Sequence, residues 1–234
     1  MTSSEKPDET VVNNLSEIQQ RISAAEQGRS IPGSPVELVA VSKMHGMDRI
    51  QNALDAGHRV FGENRVQEAQ KKWTGQRSKY PDLSLHLIGP LQTNKAADAV
   101  DLFDVIQTVD RPKLARALAK HIHASPRNPT CMIQVNIGDE AQKAGVAISD
   151  LGDLLNQCRG DIGLPIIGLM CIPPAAESPA PYFALMAKLA AAQGLEHLSM
   201  GMTGDFEDAI KFGATSVRVG TGIFGPRPGP VDPT

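Results

Sequence analysis

The chain has 234 residues, of which 41% are hydrophobic and 21% are charged, and its formal net charge is −3. This composition is that of a soluble globular protein, and the slight negative charge excludes the basic surface that nucleic-acid-binding and membrane-binding proteins use. The polar start does not have the apolar core of a signal peptide, and no apolar run is long enough to cross a bilayer. We therefore expect a cytoplasmic protein with no nucleic-acid or membrane partner.

Helical and extended patterns alternate along the chain. Apolar residues at helical spacing predict a first helix over 11–27, which Gly28 ends, and a turn at 32–35 leads to the first strand. Strands are predicted at 36–43, 59–64, 83–88, 103–108, 131–136, 166–170, 197–200 and 216–219. The helices between them are predicted at 50–56, 65–73, 93–100, 111–121, 148–158, 181–193 and 206–212.

Eight strands, each separated from the next by a helix, are the sequence signature of an α/β protein with a (β/α)₈ TIM barrel. An open doubly wound sheet is the alternative, but no GxGxxG motif follows the first strand to support it. The pattern leaves no room for a second domain. We expect one barrel domain over 1–234, with flexible tails at about 1–10 and 226–234.

The cysteines give no sign of a metal site. Cys131, Cys158 and Cys171 are odd in number and widely spaced, which is not a metal-ligand pattern and is typical of a reducing compartment. We interpret them as small residues that fill the core.

Lys43 ends the first predicted strand. Four of the six residues before it are apolar, which favours a strand buried on both faces, as in a parallel sheet. A lysine at the mouth of such a strand is partly removed from water, so we expect its pKa to fall and its free amine to act as a nucleophile. The alternative is a solvated lysine that only marks the end of the strand.

Two glycine-rich loops follow the seventh and eighth strands, at 199–205 and 220–222. In barrels these loops often bind phosphate, because backbone N–H groups and helix N-termini can face an anion there. Thr203 and Thr221 add hydroxyl donors. The alternative is that the glycines only allow tight turns between strand and helix.

Arg218 lies two residues before Gly220 and so should leave the last strand on the same side as that glycine. Its guanidinium could meet a phosphate, a carboxylate or an aromatic nitrogen. The alternative is an arginine inside the barrel that pairs with a carboxylate such as Glu63. A strand-end amine, two phosphate loops and this arginine together fit pyridoxal 5′-phosphate (PLP), whose aldehyde condenses with a lysine amine.

Several segments of the chain, which extend from about residue 10 to Arg227, also resemble the pyridoxal phosphate homeostasis protein family. The segments lie at 40–43, 61–68, 86–95, 168–170, 199–202 and 217–225. The resemblance implies a single alanine-racemase-like barrel (PLP fold type III) without the C-terminal β domain, which holds PLP as an aldimine with Lys43. The residues that it implies for cofactor binding are Lys43, Asn64 beside the ring, Met200, Thr203, Arg218 at the ring nitrogen, Gly220 and Thr221.

The chain departs from the family pattern at the rim of this site. Thr203 replaces the usual serine, Met44 and His45 follow Lys43 in place of threonine and lysine, and Arg65 replaces a frequent tyrosine. His45 and His86 could carry protons, since imidazole titrates near neutral pH, or could have structural roles.

Three functions compete. The first is a non-catalytic protein of PLP homeostasis that masks the aldehyde on Lys43 and releases it to apo forms of PLP-dependent enzymes. The second is an amino-acid racemase, which needs a base on each face of the substrate α-carbon; Tyr80 and Tyr182 are the two tyrosines, and neither is at a predicted strand mouth. The third is a barrel enzyme for another phosphorylated metabolite. The first is favoured, as either a monomer or a weak homodimer.

Overall fold

Eight parallel strands form a closed barrel in the computed structural model, which describes residues 9–29 and 35–226. Each strand pairs with its neighbours in sequence, and β8 closes the barrel against β1. The strands are β1 (Glu37–Val41), β2 (Val60–Glu63), β3 (Ser84–Leu87), β4 (Val105–Val109), β5 (Thr130–Val135), β6 (Ile166–Cys171), β7 (His197–Met202) and β8 (Ser216–Val219). The predicted (β/α)₈ barrel is confirmed.

Helices surround the barrel and alternate with the strands. They are α1 (Glu9–Gln27), α2 (Met47–Asp55), α3 (Val66–Trp73), α4 (Ala96–Leu102), α5 (Pro112–Ala124), α6 (Leu151–Arg159), α7 (Ala180–Ala192), α8 (Phe206–Lys211) and α9 (Thr221–Phe224). The strands bury one set of side chains against this helical layer, and the helices bury apolar faces at helical spacing, as α5 does with Leu114, Leu118 and Ile122. This layer between sheet and helices holds the hydrophobic core.

The first helix takes the place of the helix that would follow β8. Helix α9 has only four residues, too few to cover the junction between β8 and β1, and α1 packs there against α8, α9 and α2. Asn14 Nδ2 donates a hydrogen bond to the Ile223 carbonyl at 3.0 Å, and Arg21 Nε donates to Glu207 at 2.7 Å. The N-terminal helix thus holds the last loop of the barrel in place.

Strand β7 is longer than predicted and has an irregular end. It continues two residues past the predicted end at Met200, and its pairing with β8 shifts register between Ser199 and Met202. Gly201 lies in this irregular segment with φ = 91°, and a Cβ on it would lie 2.6 Å from Ala209 Cβ. Only glycine fits this close approach of β7 to α8 without strain.

Some predictions fall outside the described residues. The predicted turn at 32–35 lies mostly in 30–34, and the predicted flexible tails lie mostly in 1–8 and 227–234, none of which the structure describes. Helix α1 already includes Glu9 and Thr10. In the described ranges no helix has the length and apolarity of a membrane span, and no cluster of His, Cys, Asp and Glu could hold a metal ion. All three cysteines are buried and unpaired.

Candidate functional site

A cavity of about 340 Å³ opens at the carboxyl ends of the strands. This is the face on which barrel enzymes place their sites, and the volume is within the range of small-molecule pockets. The lining residues are Val41, Lys43, His45, Asn64, Ile88, Ile172, Met202, Thr203, Gly204, Arg218, Gly220 and Thr221. The structure therefore brings six of the predicted site residues together.

The backbone on both sides of Lys43 is held by helix α3. Lys72 Nζ donates a hydrogen bond to the Ser42 carbonyl at 2.8 Å, and the Met44 N–H donates to Glu68 Oε1 at 2.6 Å. Met44 has φ = 64°, a left-handed conformation that costs a non-glycine residue energy and needs support from its surroundings. The two contacts from α3 supply that support and set the direction in which Lys43 leaves β1.

A buried ion pair lies behind Lys43, between the barrel and α3. Glu63 Oε1 accepts hydrogen bonds from Ser42 Oγ at 2.7 Å, from Lys72 Nζ at 3.1 Å and from Trp73 Nε1 at 3.1 Å. Burial raises the pKa of Glu63, and the Lys72 ammonium opposes that rise. Burial also acts to raise the pKa of Glu68, but hydrogen bonds from Lys72 and the Met44 N–H outweigh it and lower that pKa overall.

The loops after β7 and β8 meet at their threonines. Thr221 Oγ1 donates to Thr203 Oγ1 at 3.2 Å, so the two hydroxyls point to one place on the cavity wall. The first N–H groups of α9 have no acceptor within the helix, as in the first turn of any helix. A Cβ on Gly220 would lie 3.3 Å from Val41 Cβ and from the Val41 carbonyl oxygen, which shows how closely the last loop approaches β1. The arrangement can bind a small anion.

Arg218 brings a buried positive charge to the cavity. Its side chain donates from Nη1 to Ser199 Oγ at 2.6 Å and from Nη2 to the Cys171 carbonyl at 2.8 Å. The residue is 4% exposed, and burial lowers the pKa of its guanidinium. No carboxylate in residues 9–29 and 35–226 forms an ion pair with it. The alternative in which Arg218 pairs with Glu63 is wrong, because Glu63 faces α3 on the outer side of the barrel.

Asn64 is held by a tight contact with the loop after β3. A Cβ on Gly89 would lie 2.3 Å from the Asn64 carbonyl oxygen and 2.8 Å from its Cα, so a side chain at position 89 would displace Asn64. His45 also lines the cavity, with its ring centroid 5.2 Å from that of Phe224. His45 thus lies in the wall of the cavity near Lys43.

Met200 does not line the cavity, contrary to the prediction. Ser199 points into the barrel, where it contacts Arg218, so the next residue along the strand faces the helices. Met200 is completely buried in the hydrophobic core on that side. Met202 lines the cavity instead, because the irregular backbone at Gly201 lies between the two methionines.

Sequence reasoning missed the apolar part of the wall. Ile88 follows the third strand in phase with His86, so its position could have been found from strand alternation. Ile172 follows the sixth strand in phase with Met170 in the same way, whereas Met202 gave no such signal. His86 itself lies inside the barrel below the cavity and is 1% exposed. Neither tyrosine lines the cavity: Tyr80 OH accepts a hydrogen bond from Gln51, and Tyr182 OH donates one to Glu177.

Comparison with known proteins identifies relatives over most of the chain. The family described as "Alanine racemase, N-terminal domain" matches residues 13–228. The chain is 39% identical to the pyridoxal phosphate homeostasis protein of Pasteurella multocida, over 93% of this chain and 98% of that protein. It is 35% identical to the protein of the same name from Escherichia coli K12, over 93% and 97%.

Solved structures give the same result. PipY of Synechococcus elongatus, in a structure with PLP bound, is 37% identical, has a TM-score of 0.80 and is matched over 92% of this chain and 100% of that chain. An alanine racemase from Corynebacterium glutamicum is 17% identical with a TM-score of 0.67, and the match spans 62% of that chain. This second likeness shows that the two proteins share the barrel fold.

Proposed function

The chain belongs to the pyridoxal phosphate homeostasis protein family, within the alanine racemase N-terminal domain family, and from this premise we propose that it binds PLP in the barrel cavity, with Lys43 as the covalent anchor. One observation carries the proposal. Lys43, the buried Arg218 guanidinium and the paired hydroxyls of Thr203 and Thr221 line the same cavity. The PLP-bound structure of PipY, a relative at 37% identity, supports it.

The chemistry of these donors fits three polar groups of the cofactor. The aldehyde of PLP can condense with the Lys43 amine, with loss of water, to give a Schiff base. The phosphate can accept hydrogen bonds from Thr203, Thr221 and the backbone N–H groups at Gly220 and the start of α9. The ring nitrogen can accept from Arg218, which has no carboxylate partner among the described residues.

Arg218 would also affect the protonation of the ring nitrogen. A guanidinium cannot accept a proton, and its charge disfavours protonation of the ring nitrogen. An unprotonated ring withdraws electrons weakly, and PLP chemistry depends on that withdrawal. Asn64 lies on the same wall, where it can contact the ring.

We propose that the protein has no significant catalysis of its own and contributes to PLP homeostasis by holding and releasing the cofactor. Racemisation needs a base on each face of the substrate. Beside Lys43 and Arg218, His45 is the one titratable side chain among the described residues of the wall. Incubation of the loaded protein with alanine in D₂O should leave the α-proton in place; exchange at an enzyme-like rate would favour a racemase instead.

The binding proposal is tested by spectroscopy of the purified protein. Addition of PLP should give a visible absorption band, and borohydride should convert the linkage to a stable amine that peptide mapping locates at Lys43. The variant Lys43→Ala should give no band, and the exposed-lysine control Lys211→Ala should behave as the wild type. A wild-type protein that stays colourless with PLP, or a Lys43→Ala variant that keeps the band, would overturn the assignment.

Release to other proteins is the second part of the proposed function. We expect loaded protein to restore activity to an apo form of a PLP-dependent enzyme in the cytoplasm, because a Schiff base exchanges with other amines. The borohydride-reduced protein is the matched control, since its cofactor cannot leave. Sedimentation of both forms would establish whether the protein acts as a monomer or a weak homodimer.

A further inference from the structure

Four buried polar side chains from four different strands form a hydrogen-bonded row across the inside of the barrel. This interior row consists of His86, Gln107, Ser199 and Arg218, none of which is more than 4% exposed. Gln107 Nε2 lies 2.9 Å from His86 Nδ1, Ser199 Oγ lies 2.6 Å from Gln107 Oε1, and Arg218 Nη1 lies 2.6 Å from Ser199 Oγ. Barrel interiors are usually filled by branched aliphatic side chains.

The donors and acceptors of the interior row have one consistent order. The guanidinium of Arg218 can only donate, so Ser199 Oγ accepts from it and uses its own hydrogen to donate to Gln107 Oε1. The Gln107 amide nitrogen then donates to His86 Nδ1. His86 must therefore be neutral and carry its hydrogen on Nε2. Because Arg218 can only donate, it determines the hydrogen-bond direction at Ser199, Gln107 and His86.

The far end of the interior row keeps His86 in this state. Burial lowers the pKa of His86 to about 4, and the charge of Asp104 opposes that shift. His86 Nε2 lies 3.2 Å from Ser84 Oγ and 3.7 Å from Glu37 Oε2, and burial raises the pKa of Glu37. The Nε2–H therefore has acceptors, and Nδ1 remains free to accept from Gln107 at neutral pH.

We propose that Gln107 and His86 are positioning residues that act through Ser199 to hold the Arg218 guanidinium in the orientation that faces the ligand. Buried polar rows are costly unless every member is satisfied, and a satisfied row is rigid. Arg218 has no carboxylate to orient it in the described part of the chain, so the row and the Cys171 carbonyl perform that task. This inference rests on the proposed function, because the ligand concerned is PLP.

The chain offers a matched pair of variants. Gln107→Met removes the amide from the interior row and keeps the length of the side chain. Gln134→Met makes the same change on β5, where Gln134 is also buried but donates to the Ala144 carbonyl instead. Both variants lose one buried amide, so a difference between them reports the connection to Arg218.

The first measurement needs no PLP. Nitrogen-detected NMR of the protein without PLP should show slowly exchanging guanidinium signals from Arg218, assigned by their loss in Arg218→Lys. Gln107→Met should shift or broaden these signals, and Gln134→Met should leave them unchanged. Equal spectra for the two variants would overturn the inference whether or not the protein binds PLP.

The second measurement uses loaded protein. Gln107→Met should retain PLP about threefold to tenfold less tightly than Gln134→Met, the loss that corresponds to one hydrogen bond, and should shift the visible absorption maximum while Lys43 still forms its linkage. If the wild type gives no band, the proposed function fails. If the wild type gives a band and both variants match it, the positioning role fails.

A conservative variant guards against a folding defect in Gln107→Met. Gln107→Glu keeps an acceptor for Ser199 and presents a carboxylate to His86, so it should restore the Arg218 signals and PLP retention and raise the pKa of His86 in an NMR titration. A stable Gln107→Glu protein whose Arg218 signals and PLP retention match those of Gln107→Met would contradict the proposal.

Discussion

Two buried polar clusters lie on either side of β1, and they differ in how their charges are balanced. The outer cluster, formed by Ser42, Glu63, Lys72 and Trp73, pairs the buried Glu63 carboxylate with the Lys72 ammonium between the barrel and α3. Lys72 also forms an ion pair with Glu68. The interior row ends in Arg218, which has no ion pair among the described residues. The buried charges of the outer cluster have partners of opposite charge, whereas the Arg218 guanidinium has only neutral hydrogen-bond partners among the described residues.

This difference in charge balance indicates that the outer cluster supports the structure and that the interior row serves ligand binding. A compensated pair that also bonds the Ser42 backbone has the properties of a structural element, which holds Lys43 in place. A buried cation without a counter-charge is costly to the empty protein, and a ligand that accepts a hydrogen bond from it recovers part of that cost. We therefore expect variants of the outer cluster to affect mainly stability and variants of the interior row and cavity to affect mainly PLP retention.

The largest effect on stability is expected for Lys72→Met. Removal of the ammonium leaves the Glu63 carboxylate buried without a counter-charge, which typically costs about 3 to 5 kcal/mol. Denaturant unfolding should show a loss of this order. Lys71→Met, at the exposed neighbouring position of the same helix, should stay within about 0.5 kcal/mol of the wild type. A loss of similar size in both variants would show that the ion pair is not the cause.

Acid should destabilise the protein through His86. Because the pKa of His86 is about 4 in the folded state and near 6.5 in an unfolded chain, the unfolded state binds the proton first as the pH falls. The free energy of unfolding should therefore fall between about pH 6.5 and pH 4, by up to about 3 kcal/mol for a shift of this size, with no further loss from this residue below that range.

The variant His86→Gln should remove that part of the pH dependence, and His123→Gln, at an exposed position of α5, should keep it. Urea unfolding of the three proteins across this pH range makes the comparison. An unchanged slope in His86→Gln would contradict the assignment of the acid sensitivity to the interior row.

Thr221→Ala should weaken PLP retention by about 1 to 3 kcal/mol, the usual size for a hydrogen bond to a charged group. Equilibrium dialysis against PLP measures it. Thr221→Ser keeps the hydroxyl and should retain the cofactor nearly as the wild type does. Unchanged retention in Thr221→Ala would remove this hydroxyl from the phosphate site.

The smallest effect on stability is expected for Arg218→Met, at about 1 kcal/mol. This change leaves no carboxylate unpaired, and the relief from burying a charge offsets the loss of a donor at the Cys171 carbonyl. PLP retention should nevertheless fall sharply, as measured by dialysis. If Arg218→Met destabilised the empty protein as much as Lys72→Met, the contrast between the two clusters would be wrong.

Strand alternation predicted the fold and most of the cavity because both depend on local pattern. Lys43 follows from its place at the end of a predicted strand, and Arg218 and Gly220 from strand alternation, whereas Asn64 was implied only by the resemblance to the family. Met200 was expected in the site only because the family resemblance implied it; strand alternation places it toward the helices, since Ser199 points into the barrel. Met202 could not be found by counting, because Gly201 interrupts the alternation with a left-handed backbone.

The clusters themselves were beyond sequence reasoning. The interior row joins residues from four strands, and Gln107 and Ser199 differ by 92 in residue number. Such contacts depend on strand register, which is set by the whole barrel. Glu63 pairs with Lys72 and not with Arg218, the partner considered from the sequence. This difference has a similar origin, since it depends on which side of the sheet each residue faces. Local periodicity identifies residues that line the cavity, but it does not identify the buried residues that hold those side chains in place.

A crystal structure of the protein grown with PLP would test the central claim most directly. We predict continuous density from Lys43 Nζ to the cofactor, with its phosphate within hydrogen-bonding distance of the Thr203 and Thr221 hydroxyls. A structure in which Lys43 points away from those two threonines, or in which the cofactor lies outside the barrel cavity, would contradict it.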